Sequence, residues 1–272
     1  EKYKLTKPIV YFLAIMAMTC WACSFVWVKI VYEYTRPFTT VLTRLIIASS
    51  ILLVVLIVTR QNQKILKKDY KNFLILALVE PFFYFLGESF GLTMVSSTVG
   101  AVIISTIPIF APFLSFIIVR EKISLAHVLG IILSFLGIIL LVFEKDLSMS
   151  ASPLGIALMF LAVFSAIVYS IIIKRLAKTY NTMMLVTFQN VIGIFFFLPL
   201  FLFFDFGHVF LKPPDFRFFS SITLLAIFAS SIAFLCYVVV IREWGINKTN
   251  LYINLIPVLT AIFSYIVLDE IF

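Results

Sequence analysis

Charge is what this chain has least of. Only 12% of its 272 residues are Asp, Glu, Lys or Arg, while 63% are hydrophobic; a soluble domain carries roughly 25% charged residues. Histidine is nearly absent too. His127 and His208 fall in different halves with no ligand spacing around them, so no metal site is expected. No Gly-rich phosphate loop and no H-E-x-x-H run occurs, so an ATP-driven engine is not expected within these residues, and no cofactor is either. The three cysteines say little. Cys20-Trp21-Ala22-Cys23 has C-x-x-C spacing but lies inside an apolar stretch rather than at the start of a helix after a strand, and Cys236 reads as a small apolar packer.

What fills the chain instead is long apolar runs. A membrane-spanning helix needs about 20 mostly apolar residues. Nine such stretches lie near 8–31, 37–59, 71–93, 99–119, 124–143, 153–174, 182–204, 217–241 and 248–268. The links between them are short, which leaves little room for a soluble catalytic domain. The expected fold is an all-α polytopic membrane protein whose surroundings are membrane lipids. The first stretch is long enough to span and no cleavage site follows it, so a cleavable signal peptide is not expected.

The net charge of +8 does not point to nucleic acid, because its distribution is that of a topology signal. With the N-terminus in the cytoplasm, fifteen Lys and Arg face inward, among them Lys2, Lys4, Lys7, the run Lys64 to Lys71, Lys174, Arg175 and Arg242. Five face outward: Lys29, Arg36, Lys145, Lys212 and Arg217. That bias fixes the orientation.

The apolar stretches come in two similar halves. Ile107-Pro108, Ser115 and Glu121 recur 149 positions later as Ile256-Pro257, Ser264 and Glu270; earlier in each half the shift is nearer 145, which sets Arg44 opposite Gln189. The first repeat is read as residues 1–150, with five stretches, and the second as 151–272, with four. Five is odd, so the second copy enters the membrane from the other side and the repeats are inverted. A tenth stretch is expected to be missing from the sequence shown.

Charges within apolar stretches are the first candidates for function, since each costs at least about 2.5–3.5 kcal/mol to insert. Arg44 lies on the order of 10 Å below the outer surface, with Glu88 a little shallower on the next, antiparallel helix. The two can pair, as a structural lock or as a gate. Glu80 sits near the midplane beside Pro81, with Tyr84, Gly87 and Gly91 on the same helical face, and that face is expected to look into a cavity. It is read either as a proton-coupling carboxylate or as a neutral carboxyl bonded inside the bundle. A second stripe, Asn250, Asn254, Pro257, Ala261 and Ser264, combines small and polar residues with a proline. Such stripes line pathways or let helices pack closely. Trp21 and Ser24, Ser165 and Tyr169, and Gln189 and Asn190 add polar or amphipathic atoms suited to an organic solute.

Two segments carry a family resemblance. Gly91-Leu92-Thr93-Met94-Val95-Ser96-Ser97-Thr98-Val99-Gly100-Ala101, leading through Ile107-Pro108 to Arg120-Glu121, is one. Trp244-Gly245-Ile246-Asn247-Lys248-Thr249, leading through Ile256-Pro257 to Asp269-Glu270, is the other. Both resemble the EamA domain of the drug/metabolite transporter superfamily, and Trp21, Ser24 and Arg44 fit its pattern. The resemblance implies a secondary transporter of the bacterial inner membrane, exporting amino acids or related metabolites through a cavity ringed by helices 1–4 and 6–9. On that reading Trp21, Ser24, Tyr84, Tyr169, Asn190, Tyr252 and Asn254 contact a small-molecule substrate. Glu80 carries the proton, and Arg44 with Glu88 forms a gate or ion pair. The competing readings are a drug, nucleotide-sugar or sugar-phosphate transporter of the same superfamily, a passive channel, and a membrane enzyme acting on a lipid or isoprenoid.

Overall fold

The computed structural model describes residues 5–112, 129, 133 and 152–270, and none of these is in a strand. Helices α1 (Lys7–Tyr32), α2 (Pro37–Val58), α3 (Tyr70–Ala77), α4 (Tyr84–Leu92), α5 (Ser97–Ile104), α6 (Pro153–Leu176), α7 (Thr182–Leu200), α8 (Phe216–Leu224), α9 (Ala233–Trp244), α10 (Ile246–Leu251) and α11 (Leu255–Leu268) follow in order. Together they build seven spans long and apolar enough to cross a membrane: Lys7–Tyr32, Pro37–Val58, Lys67–Leu92, Pro153–Leu176, Thr182–His208, Phe216–Trp244 and Ile246–Leu268. A shorter apolar helix covers Ser97–Pro112. These account for eight of the nine expected stretches. The remaining one, 124–143, lies outside the described residues except for Leu129 and Leu133, both helical and exposed. The protein is an all-α, multi-pass membrane protein.

Local chemistry sets the helix starts. The side chains of Ser96, Asn181 and Asp215 accept the N–H groups of Val99, Met184 and Phe218, which would otherwise have no helical partner. Pro8, Pro37 and Pro153 fall in first turns, where a missing N–H costs nothing.

Three spans are irregular in mid-course. Lys67–Leu92 is interrupted by a π-helical turn over Leu78–Phe83, inside which Glu80 takes extended dihedrals (φ −138°, ψ 113°). Pro81 has no N–H to give and crowds the residue before it out of the helical region; the Glu80–Pro81 peptide is cis. Phe216–Trp244 has a π segment over Leu225–Ile232, and Ile246–Leu268 tightens into a 3₁₀ turn at Tyr252–Asn254. In a bilayer, freed backbone groups persist only where protein or a cavity covers them.

Helix α4 packs on α6, α2 on α7, and α1 on both α9 and α11. Between α4 and α6 the approach is backbone to backbone. A Cβ on Gly87 would sit 2.8 Å from the Ala162 nitrogen, and one on Gly91 would sit 2.7 Å from Met159 Sδ. This corrects the expectation that both glycines share a cavity face with Glu80 and Tyr84: the helix breaks at Glu80, and the two glycines turn towards α6. The outward surface is apolar, with Phe203 and Phe216 the most exposed at 85% and 86%, as suits a protein whose solvent is lipid.

Candidate functional site

The broken span places Glu80 in a cavity of about 560 Å³, its mouth included. Arg44 from α2 and Tyr84, Phe85 and Glu88 from α4 line it, facing Tyr169 from α6, Phe234 and Tyr237 from α9, and Trp21 from α1. Its wall is therefore contributed by both halves of the chain.

The charged groups are held in a network. Arg44 Nε donates to Ser230 Oγ at 2.8 Å, and its guanidinium lies 4.3 Å from the centre of the Phe85 ring. Its Nη1 stands 4.0 Å from Glu88 Oε2, while the Tyr84 hydroxyl donates to Glu88 Oε1 at 3.0 Å. Arg44 and Glu88 are both buried, so each compensates the other's desolvation. Glu80 is only 2% exposed, and its Oε1 has no hydrogen-bond partner among the described residues. A buried polar atom without a partner is costly and marks a candidate contact for a proton or solute.

The rest of the wall is aromatic. Trp21 meets Phe234 and Tyr237 edge-on at 5.3 and 5.0 Å, and Tyr169 stacks on Tyr237 at 6.4 Å. Their hydroxyls are tied outward: Tyr169 donates to Gln189 Oε1 at 3.2 Å, and Tyr237 donates to Asn250 Oδ1 at 2.7 Å and lies 3.0 Å from Ser170 Oγ. Bonded hydroxyls fix the rings, leaving their faces to an apolar or cationic group.

Seven of the residues singled out from sequence line this cavity: Trp21, Ser24, Arg44, Glu80, Tyr84, Glu88 and Tyr169. The Ser24 hydroxyl is spent within its own helix, donating to the Trp21 carbonyl at 2.6 Å. Asn190, Tyr252 and Asn254 are not on the wall. Asn190 is buried behind it, donating to the Ser230 carbonyl at 3.0 Å, within the π segment. Tyr252 packs on Trp244 and Tyr11 at 5.6 and 6.2 Å, and Asn254 is exposed. The reason is the 3₁₀ turn. Its steps of about 120° per residue, against 100° in an α-helix, rotate Asn254 away from Asn250, and the buried face runs Asn250, Ile253, Ile256 instead. Sequence reasoning missed Ser230, Phe234 and Tyr237, although their i, i+4, i+7 spacing was a readable signal. Among the described residues no group of three His, Cys, Asp or Glu is placed to hold a metal; His208 is exposed and His127 lies outside them.

Membrane-length helices around a cavity with charges of both signs are the layout a polytopic transport protein needs. The chain belongs to the EamA-like transporter family, whose sequence profile matches residues 8–143 and again residues 153–272. It is similar to an uncharacterized transporter of Archaeoglobus fulgidus, 27% identical over 255 residues, covering 94% of this chain and 88% of the relative. The uncharacterized transporter YyaM of Bacillus subtilis is 27% identical over 246 residues, covering 88% and 79%. A solved crystal structure shares the fold at 14% identity, with a TM-score of 0.72 over 97% of this chain and 90% of that one.

Proposed function

We propose that this transporter is a secondary carrier that works by alternating access, exporting amino acids or related small metabolites across a bacterial cytoplasmic membrane with its N-terminus inside. The observation that carries the reading is one cavity, walled by both halves, that holds Arg44 and an unpartnered Glu80 oxygen together among aromatic rings. Charges of both signs beside apolar rings suit a zwitterion with an organic side chain. The helix contacts support two inverted repeats, 1–150 and 151–272. If the first helix of each half corresponds, the α1 contact with α9 is matched by that of α6 with α4, and the α1 contact with α11 by that of α6 with α5, while α2 meets α7, its own counterpart. Glu80 is the proposed proton carrier. Phosphorylated substrates rank lower, because Arg44 is the one basic residue on the wall among those described and it already serves Glu88 and Ser230.

Counterflow in proteoliposomes tests this, scanning labelled amino acids at two internal pH values. Saturable uptake that depends on internal amino acid is expected. Glu80→Gln is expected to keep the exchange and lose its response to a pH gradient. Unchanged gradient-driven uptake in Glu80→Gln would remove Glu80 from the coupling, and non-saturating flux would favour a channel.

A further inference from the structure

Two tyrosine–aspartate hydrogen bonds close this bundle, one at each end. At the end where α1 meets α2, the Tyr34 hydroxyl donates to Asp215 Oδ2 at 2.8 Å. At the other end, the Tyr180 hydroxyl donates to Asp69 Oδ2 at 2.9 Å. Helix α2 runs from one end to the other, and its 22 residues put about 33 Å between them.

These are the same contact made twice. Tyr180 lies 146 positions after Tyr34, and Asp215 lies 146 positions after Asp69. Each pair joins the two halves of the chain in opposite sense: the first takes its tyrosine from the N-terminal half and its aspartate from the C-terminal half, and the second reverses the donation. Both tyrosines are buried. Both aspartates stand immediately before an α-helix, Asp69 before α3 and Asp215 before α8, and each of those helices runs on into a π-helical segment. Chance contacts between loops do not reproduce partner, shift and position before the helix at once.

We infer that Tyr34–Asp215 and Tyr180–Asp69 are the two latches of the transport cycle, and that each must open for the cavity to reach its own side of the membrane. The inference rests on the alternating-access reading above. Both latches are shut here, so a tyrosine–aspartate bond ties the two halves together at each end. Access to one side requires release of one latch while the other holds the halves together.

The neighbours of the two latches differ. Beside Tyr34, Lys212 Nζ meets Glu33 Oε2 at 2.8 Å and sits 4.0 Å from the centre of the Tyr34 ring, and the Leu211 N–H donates to the Tyr34 carbonyl at 2.7 Å. Beside Tyr180 the supports involve no acidic partner: the Leu66 N–H donates to its hydroxyl at 3.0 Å, Arg242 Nη2 to its carbonyl at 2.9 Å, and the Asn181 N–H to Gln63 Oε1 at 2.7 Å. One latch is thus strapped by an exposed ion pair and the other by the Arg242 guanidinium together with amide and carbonyl groups.

The test is side-specific labelling of the cavity. In a chain whose Cys20, Cys23 and Cys236 are replaced by Ala, Ala166→Cys places a reporter on the wall. A membrane-impermeant maleimide is then applied to right-side-out cells and to inside-out vesicles. Asp215→Asn is expected to raise labelling several-fold from the Tyr34 side only, and Asp69→Asn from the Tyr180 side only. Tyr34→Phe and Tyr180→Phe, which remove only the hydroxyl, should reproduce each direction; they also replace an aspartate variant that labels equally from both sides through misfolding. Unchanged labelling in both tyrosine variants, or a shift of both towards one side, overturns the inference. Counterflow by the parent chain keeps the two readings apart. Counterflow with unresponsive labelling removes the latches and leaves the carrier. Opposite labelling shifts without counterflow leave the latches and remove the carrier.

Discussion

Arg44 and Glu88 face each other at 4.0 Å where α2 meets α4, each buried and each held by a further partner, Ser230 and Tyr84. Removing one member of such a pair strands the other in a medium that cannot solvate it. Arg44→Ala is expected to cost about 3–5 kcal/mol, read as loss of thermal stability in detergent. Arg44→Met combined with Glu88→Gln should recover most of that loss. A cost below about 1 kcal/mol for the single change would mean that the pair is solvated.

This pairing shows how far the sequence could be read. Two opposite charges at matched depth on consecutive apolar helices have few other partners, so hydropathy and helical rise suffice to bring them together. Asn254 shows where such reading stops. Its stripe assumes one unbroken α-helical period, and a turn of 3₁₀ helix at Tyr252–Asn254 shifts the phase without any proline or glycine inside it to announce the change. Tyr237 went unremarked for another reason. A tyrosine among so many apolar aromatics reads as packing until its hydroxyl partners, Ser170 and Asn250, are brought beside it by the fold.

Gly87 is expected to tolerate no side chain. Its missing Cβ is the space taken by the backbone of α6, including the Ala162 nitrogen. Gly87→Ala should destabilise by about 1–3 kcal/mol through forced separation of α4 and α6. Thermal unfolding in detergent measures it, and a melting temperature equal to the parent's would show that the interface gives way freely.

The Tyr34 latch is expected to weaken in acid. The hydrogen bond from Tyr34, helped by the Phe218 N–H, holds the Asp215 carboxyl below the usual carboxylate range; Lys212 adds to this, and Glu33 and Arg217 complete the charged surroundings. Because the folded value is the lower one, the contribution is complete above the unfolded value of about 3.9 and is lost as pH falls through the folded value. Hydrogen exchange at the Leu211 amide, corrected for its intrinsic rate, should show protection falling below about pH 4. Protection that persists to about pH 2 would place the hold on residues 205–216 elsewhere.

The glycine contact between α4 and α6 also sets an order of assembly. Helix α4 is complete at Leu92, but the backbone it must lie against begins only at Pro153. The ribosome therefore releases the cavity's first wall long before the second, and Glu80 and Glu88 wait in the membrane without their final surroundings. Chains stalled before Pro153 should expose Gly87 and Gly91 to lipid and be degraded faster than chains stalled after Leu176, as a pulse-chase would read. The cavity is then not something the N-terminal residues possess and the later ones refine, but a product of their meeting.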